Sequence, residues 1–145
     1  MMKNHNHLSP ELAQVKEFQE LFGLRVRNSP EGAIDAKEYL LRYQLMREEN
    51  EEYLEACQKE DLVEIADALG DMLYILCGTI ITHGMQHKIS EVFNEIHQSN
   101  LSKLDEEGKP IYREDGKVLK GPNYFRPNIK RVLAKEPSSF AEKTP

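Results

Sequence analysis

Carboxylates recur on what should be the inner faces of two helices. Glu49 and Glu52 lie in the run LLRYQLMREENEEYLEA, residues 40–56. At 3.6 residues per turn, Leu41, Leu45, Glu49, Glu52 and Ala56 share one face, so the two acids continue an apolar stripe. Asp67 and Asp71 interrupt IADALGDMLYILCGTII, residues 65–81, the most apolar stretch of the chain. They are spaced i, i+4 and share a face with Tyr74 and Gly78. Buried carboxylates are unfavourable unless something positive pairs with them. Two helices that each turn a pair of acids inward therefore suggest a divalent cation. Mg2+ takes oxygen ligands of this kind, and Mn2+ is a chemical substitute for it. Glu48 sits beside the stripe, where it is either a general base aimed at a water or a solvated helix residue.

Spacing also ranks the ligands. The turn between the two acidic helices is short, around Lys59–Asp61, so the helices are expected to be antiparallel neighbours. Counting from that turn at the helical rise, Glu52 lies about 12 Å out and Glu49 about 17 Å. On the other helix Asp67 lies about 9 Å out, Asp71 about 15 Å and Glu64 only about 4–5 Å. Asp71 ranks first as a partner for the glutamates, Asp67 second and Glu64 third. Glu64 also has a sufficient structural role as a capping acid.

The elements that position these groups follow from caps and breakers. Ser9-Pro10-Glu11 reads as a helix start, running to about Leu21 with Gly23 just past its end. Residues 24–34 form a loop broken by Pro30 and Gly32. Asp35 caps a long second helix to about Lys59, with Glu38 completing a capping box, and Asp61 with Glu64 repeats the pattern for a third. Gly84 closes the third helix, and a fourth spans roughly 88–101. The expected class is all-α, a four-to-five-helix bundle with a C-terminal loop and β-hairpin extension. In that extension Ile111–Glu114 and Lys117–Lys120 flank Asp115-Gly116, a hairpin signal of type I′ by residue preference. The expected organisation is a disordered start over 1–8, a helical core over 9–102, an extension over 103–135 contributing to the substrate site, and a frayed tail over 136–145.

Composition narrows the function classes. At 145 residues, 39% apolar and 30% charged, the chain reads as one soluble domain with a real core. Its net charge of −6 and lack of a dense basic block argue against nucleic acid as a partner. A free nucleotide stays possible, because a metal offsets its phosphate charge. The longest apolar run is cut by Asp67 and Asp71, so it reads as too short and too charged to span a membrane. The start MMKNHNHLSP lacks the apolar region of a signal peptide. His5 and His7 belong to that polar start. Cys57 and Cys77 read as reduced thiols in helical patterns, and the cytoplasm is the expected location.

Glu49-Asn-Glu-Glu52, a spacer, then Glu64-Ile-Ala-Asp67-Ala-Leu-Gly-Asp71-Met-Leu-Tyr74 resembles the MazG-like all-α nucleoside triphosphate pyrophosphohydrolases. That group includes dimeric dUTPases and phosphoribosyl-ATP pyrophosphohydrolases, and its hallmark is E-x-x-E followed by E-x-x-D on adjacent helices. Glu49 and Glu52 match the first half, and Glu48 matches a double-glutamate start. In the second half the aspartate aligned on Gly-Asp-Met-Leu-Tyr is Asp71, and Ala68 stands where a glutamate is expected. Either Asp67 or Glu64 then stands in for it. Gln98–Lys103 with the Lys-, Gly- and Pro-rich stretch Asp115–Tyr124 is similar to the phosphoribosyl-ATP-pyrophosphohydrolase-like branch, and the resemblance spans about residues 12–130.

The resemblance implies a Mg2+-dependent enzyme that cleaves a nucleoside triphosphate to monophosphate and pyrophosphate, acting in house-cleaning of the nucleotide pool. The alternative within the class is a phosphoribosyl-ATP pyrophosphohydrolase of histidine biosynthesis. A rival from another class is a non-catalytic helical dimer with a structural cation site. Lys103, Lys117 and Lys120 are candidate phosphate contacts, Asn100 a candidate for sugar or base. Tyr74, Tyr124, Phe18 and Phe22 are candidates to stack on a base or simply to fill the core. The resemblance also implies a homodimer or homotetramer.

Overall fold

The computed structural model describes residues 8–135. His5, His7, the expected frayed tail over 136–145 and the expected disordered start apart from Leu8 lie outside the described residues. Among those described, the protein is all-α, with α1 (Pro10–Leu21), α2 (Ala36–Gln58), α3 (Leu62–Thr82), α4 (Ile89–Leu101) and α5 (Ile129–Ala134). They divide into two compact units at His87.

The first unit holds α1 to α3. Ser9 accepts from the Leu12 amide, Asp35 from Lys37 and Asp61 from Glu64, so each helix begins on the cap its sequence supplies. The reciprocal half of the expected capping boxes does not form. Glu38 turns instead to Arg25 at 3.3 Å and Arg27 at 2.7 Å. Charge-assisted bonds to guanidinium outcompete a neutral backbone donor. Glu64 likewise points toward Lys59, 4.0 Å away.

Leu12 and Val15 of α1 are buried with Ala68, Cys77 and Ile81 of α3, while Ala56 is the buried residue of α2. Cys57 and Cys77 are free thiols, and burial pushes the Cys77 thiol up. The loop after α1 ties down the end of α3, whose last carbonyls have no helical partner. The Arg27 amide donates to the Ile81 carbonyl at 3.2 Å, its guanidinium to Thr82 at 2.6 Å, and the Glu31 amide to His83 at 2.9 Å. Gly84 closes α3 at φ +70°, where a Cβ would lie 2.0 Å from the Ser29 carbonyl oxygen.

A wide apolar surface of α2 and α3 stays exposed. Leu40, Leu54, Leu69, Leu73 and Leu76 are about half exposed, and Leu62 and Val63 are 77% and 79% exposed. By length and composition α3 is a candidate membrane span, with mean hydropathy 1.5 and 28% of the window buried. This corrects the expectation that its two aspartates make it too short and too charged. Leucine and isoleucine outweigh two carboxylates in such an average.

The second unit holds α4 and α5. Ser99 donates to the Phe125 carbonyl at 2.8 Å, and Glu95 receives the Asn128 amide at 2.9 Å and Arg131 at 3.1 Å. The short α5 is the fifth of the four to five helices expected, placed in the stretch read as loop and hairpin, and Asn128 caps it by accepting from the Arg131 amide. The hairpin shrinks to one antiparallel bridge, Tyr112 with Val118. Its turn is not type I′, because Gly116 at φ +84° is the only turn residue with positive φ. The Gly116 amide donates to the Arg113 carbonyl at 2.9 Å and the Arg113 amide to Lys117 at 2.8 Å. That is a type I turn followed by a glycine bulge, in which Asp115 avoids the left-handed region.

Candidate metal centre

The capped, antiparallel α2 and α3 place four acids along their shared seam. Glu49 is half-buried, and Glu52, Asp67 and Asp71 are exposed beside it. One Glu49 oxygen, Oε2, is buried with no hydrogen-bond partner. Burial pushes the Glu49 carboxyl above its ordinary range. The negative charges of Glu52, Asp71 and Asp67 push it further. Among the described residues, no lysine or arginine forms an ion pair with Glu49, Glu52, Asp67 or Asp71. A buried orphan acceptor facing three like charges is costly in the absence of a counter-ion.

An all-oxygen donor set without a protein cation fits a hard divalent metal. Among the described residues, however, no three His, Cys, Asp or Glu side chains converge closely enough to hold an ion. The acids are within Coulombic reach of each other, and a cation would have to draw them together.

The remaining expected residues separate. Glu64 is exposed near Lys59 and is not among the charges acting on Glu49. Ala68, where the family pattern has glutamate, is 2% exposed and part of the core, so a long acid there would displace packing. Glu48 is exposed. Tyr74 joins an aromatic group with α1: Phe18 lies edge-on to it at 5.6 Å and stacks on Phe22 at 4.4 Å. In the second unit Lys103 donates to Asn100 at 3.0 Å, and the Lys120 ammonium lies 4.7 Å from the centre of the Tyr124 ring. The Lys117 side chain is exposed.

Sequence reasoning missed Arg42. It stands seven residues before Glu49, on the same face of α2, and donates to Thr79 Oγ1 at 3.1 Å and to the Ile75 carbonyl at 3.0 Å. Burial lowers its pKa. An arginine inside an apolar stripe was the available signal.

The phosphoribosyl-ATP pyrophosphohydrolase family model matches residues 15–100. No curated protein matches the chain. A solved structure described as a proposed NTP pyrophosphohydrolase from Exiguobacterium sp. 255-15 is similar at 22% identity and a TM-score of 0.48, over 88% of this chain and 94% of that one. With more than half of its length matched by the family model, the chain belongs to the phosphoribosyl-ATP pyrophosphohydrolase family, hydrolases that act on pyrophosphate bonds.

Proposed function

We propose that the protein is a Mg2+-dependent nucleotide pyrophosphohydrolase, which cleaves the α–β anhydride of a nucleoside or deoxynucleoside triphosphate to release pyrophosphate and a monophosphate. The observation that carries this reading is the buried, unpartnered Glu49 oxygen amid Glu52, Asp67 and Asp71. Glu49, Glu52 and Asp71 would hold the metal, with Asp67 ahead of Glu64 as the fourth ligand. When bound, Mg2+ neutralises phosphate charge and makes a water more acidic; Mn2+ substitutes for it.

The chain's own groups do the rest. Glu48, exposed next to Glu49, takes a proton from the attacking water. The water oxygen bonds to phosphorus, the anhydride bond breaks, and the leaving phosphate oxygen departs with the electron pair. Tyr74, with Phe18 and Phe22 behind it, offers a face to a base. Asn100, Lys103, Lys117, Lys120 and Tyr124 are proposed to contact sugar and phosphates.

A second substrate reading, phosphoribosyl-ATP itself, is favoured by the family match. The exposed apolar surface of α2 and α3, with its groove of about 620 Å³ between Tyr43, Met46, Met72, Leu73 and Leu76, supports a second copy of the chain as partner. The free thiols suit a cytoplasmic location.

The deciding experiment assays a panel of nucleoside triphosphates and phosphoribosyl-ATP with Mg2+, measuring pyrophosphate against orthophosphate. Pyrophosphate release from at least one is expected. No release from any, together with no Mg2+-coupled nucleotide binding by calorimetry, would favour the non-catalytic dimer.

A further inference from the structure

The seam that carries the acids is fastened at two levels. At the near end α2 and α3 are joined by Lys59, Glu60 and Asp61, with Glu60 at φ +54° and the Asp61 amide donating to the Ala56 carbonyl at 3.1 Å. At the far end Arg42 donates from Nε to Thr79 Oγ1 at 3.1 Å and from Nη2 to the Ile75 carbonyl at 3.0 Å. Thr79 Oγ1 donates to the same carbonyl at 2.8 Å, which leaves its lone pairs to accept from Arg42. Gly78 makes room for the guanidinium: a Cβ there would lie 2.5 Å from Nη2 and 2.6 Å from Gln19 Oε1. Gln19 is buried and held on the Arg25 carbonyl at 2.7 Å, so α1 walls the same notch.

Stability alone does not account for this arginine. Arg42 is half-buried and makes no ion pair among the described residues. Glu38, one turn away on α2, is engaged with Arg25 and Arg27. Withdrawing a guanidinium from water without a carboxylate is costly, and an apolar side chain of similar length would fill the notch at lower cost. What two directional hydrogen bonds add, and apolar contact does not, is register.

The need for register arises at the acids. Ala56, beside the turn, is the buried residue of α2, and no α2 residue between it and Arg42 is buried. Across that stretch Glu49, Glu52, Asp67 and Asp71 repel one another. A hairpin fastened only at its turn opens there like a hinge. Counted from the turn at the helical rise, the acids lie about 9–17 Å out, and Arg42 and Thr79 both about 27 Å. A splay at the Arg42 level therefore carries on the order of half of its size to Glu49 and Asp71. Mg2+ accepts little of that, because it demands near-ideal octahedral geometry.

We propose that Arg42 is a positioning residue for the metal centre: by fastening α2 to Ile75 and Thr79 of α3, it sets the separation and register at which Glu49, Glu52 and Asp71 meet a cation. It touches neither the cation nor the substrate. Its effect travels along α2, where it stands two turns from Glu49 on the same face. This deepens the proposed function and rests on its reading of the seam as a cation centre.

The test is a Mn2+ dissociation constant, measured on the full chain from the free-ion resonance, for wild type and two variants. Arg42→Met removes both hydrogen bonds with a flexible side chain that fills the notch. Thr79→Val keeps Arg42 and its charge and removes one acceptor. The sign of the change separates geometry from charge. Arg42 is a cation about 10 Å along α2 from Glu49, so loss of its charge alone would tighten the binding of another cation. Loss of its positioning weakens it. The dissociation constant is expected to rise about tenfold in Arg42→Met, as for residues behind a metal ligand, and about threefold in Thr79→Val. The denaturant midpoint of metal-free Arg42→Met is expected to stay at or above that of wild type. A lower midpoint with unchanged Mn2+ binding is the result of a merely structural arginine and overturns the proposal, as does tighter binding. If Arg42→Met does not fold, Thr79→Val decides alone, and unchanged binding overturns the proposal. No binding by wild type overturns the cation centre and this role with it, whereas wild-type binding matched by both variants overturns this role alone.

Discussion

Glu38 and Glu49 stand three turns apart on the same face of α2, in opposite electrical surroundings. Glu38 accepts from Arg27 and Arg25, and the Arg27 hydrogen bond does most to hold its carboxyl below the ordinary range. Glu49 meets burial and three acids, has an oxygen with no partner, and is pushed the other way. One helix thus carries a carboxylate completed by its own protein and one that is left incomplete. Completed ion pairs hold a fold together, whereas an incomplete one invites a ligand.

The comparison breaks most sharply at Glu49. Glu49→Gln is expected to lower pyrophosphate release by about a hundredfold or more, since even residues behind a metal ligand are worth tenfold to a hundredfold. The same substitution should raise the melting temperature of the metal-free protein near neutral pH. The sign follows from the raised carboxyl: the native state favours its protonated form, so stability falls as pH rises through the native value. A Glu49→Gln protein with full turnover, or less stable without metal, would remove the contrast.

The fourth acid comes next. Asp67 acts on Glu49 and Glu64 does not, so Asp67→Asn is expected to lose about tenfold in turnover and Glu64→Gln less than about twofold. The reverse order, with helix content unchanged by circular dichroism, would place the fourth ligand at Glu64.

Gly78 faces the seam between the two glutamates. Gly78→Ala puts a Cβ 2.5 Å from Arg42 and 2.6 Å from Gln19, both fixed by hydrogen bonds. It is expected to destabilise the fold by about 1–3 kcal/mol, read as a lower denaturant midpoint at constant slope. A neutral result would show that Arg42 is free to move.

The smallest effect belongs to Glu38. Its lowered carboxyl gives stability above the unfolded value that is lost as pH falls through the native one. Glu38→Gln should therefore be less stable than wild type near neutral pH, and the gap should close on acidification below about pH 4. A gap that is the same at both ends would separate Glu38 from its arginines.

Much of this was legible in the sequence where the cause is local. Ser9, Asp35 and Asp61 cap the helices that they announce, and the stripe of Glu49 and Glu52 needs only helical periodicity. Partners from distant positions were not legible. Glu38 reads as a capping acid until Arg25 and Arg27 are folded back onto it, and the role of Arg42 depends on a hydroxyl and a carbonyl more than thirty residues away. The hairpin turn failed for a subtler reason. Asp115-Gly116 suits two turn types, and only the backbone of Asp115 chooses between them. Ala68 shows the converse, since departure from a family pattern becomes intelligible once the position is seen to be core.

The most direct measurement is a Mn2+ titration followed by electron paramagnetic resonance, in which the free-ion signal falls as the metal binds. Wild-type protein is expected to deplete that signal and Mg2+ to restore it, while Glu49→Gln and Asp71→Asn leave it close to the protein-free level. Equal depletion by wild type and both variants, or none by wild type, would contradict a cation centre on the α2–α3 seam.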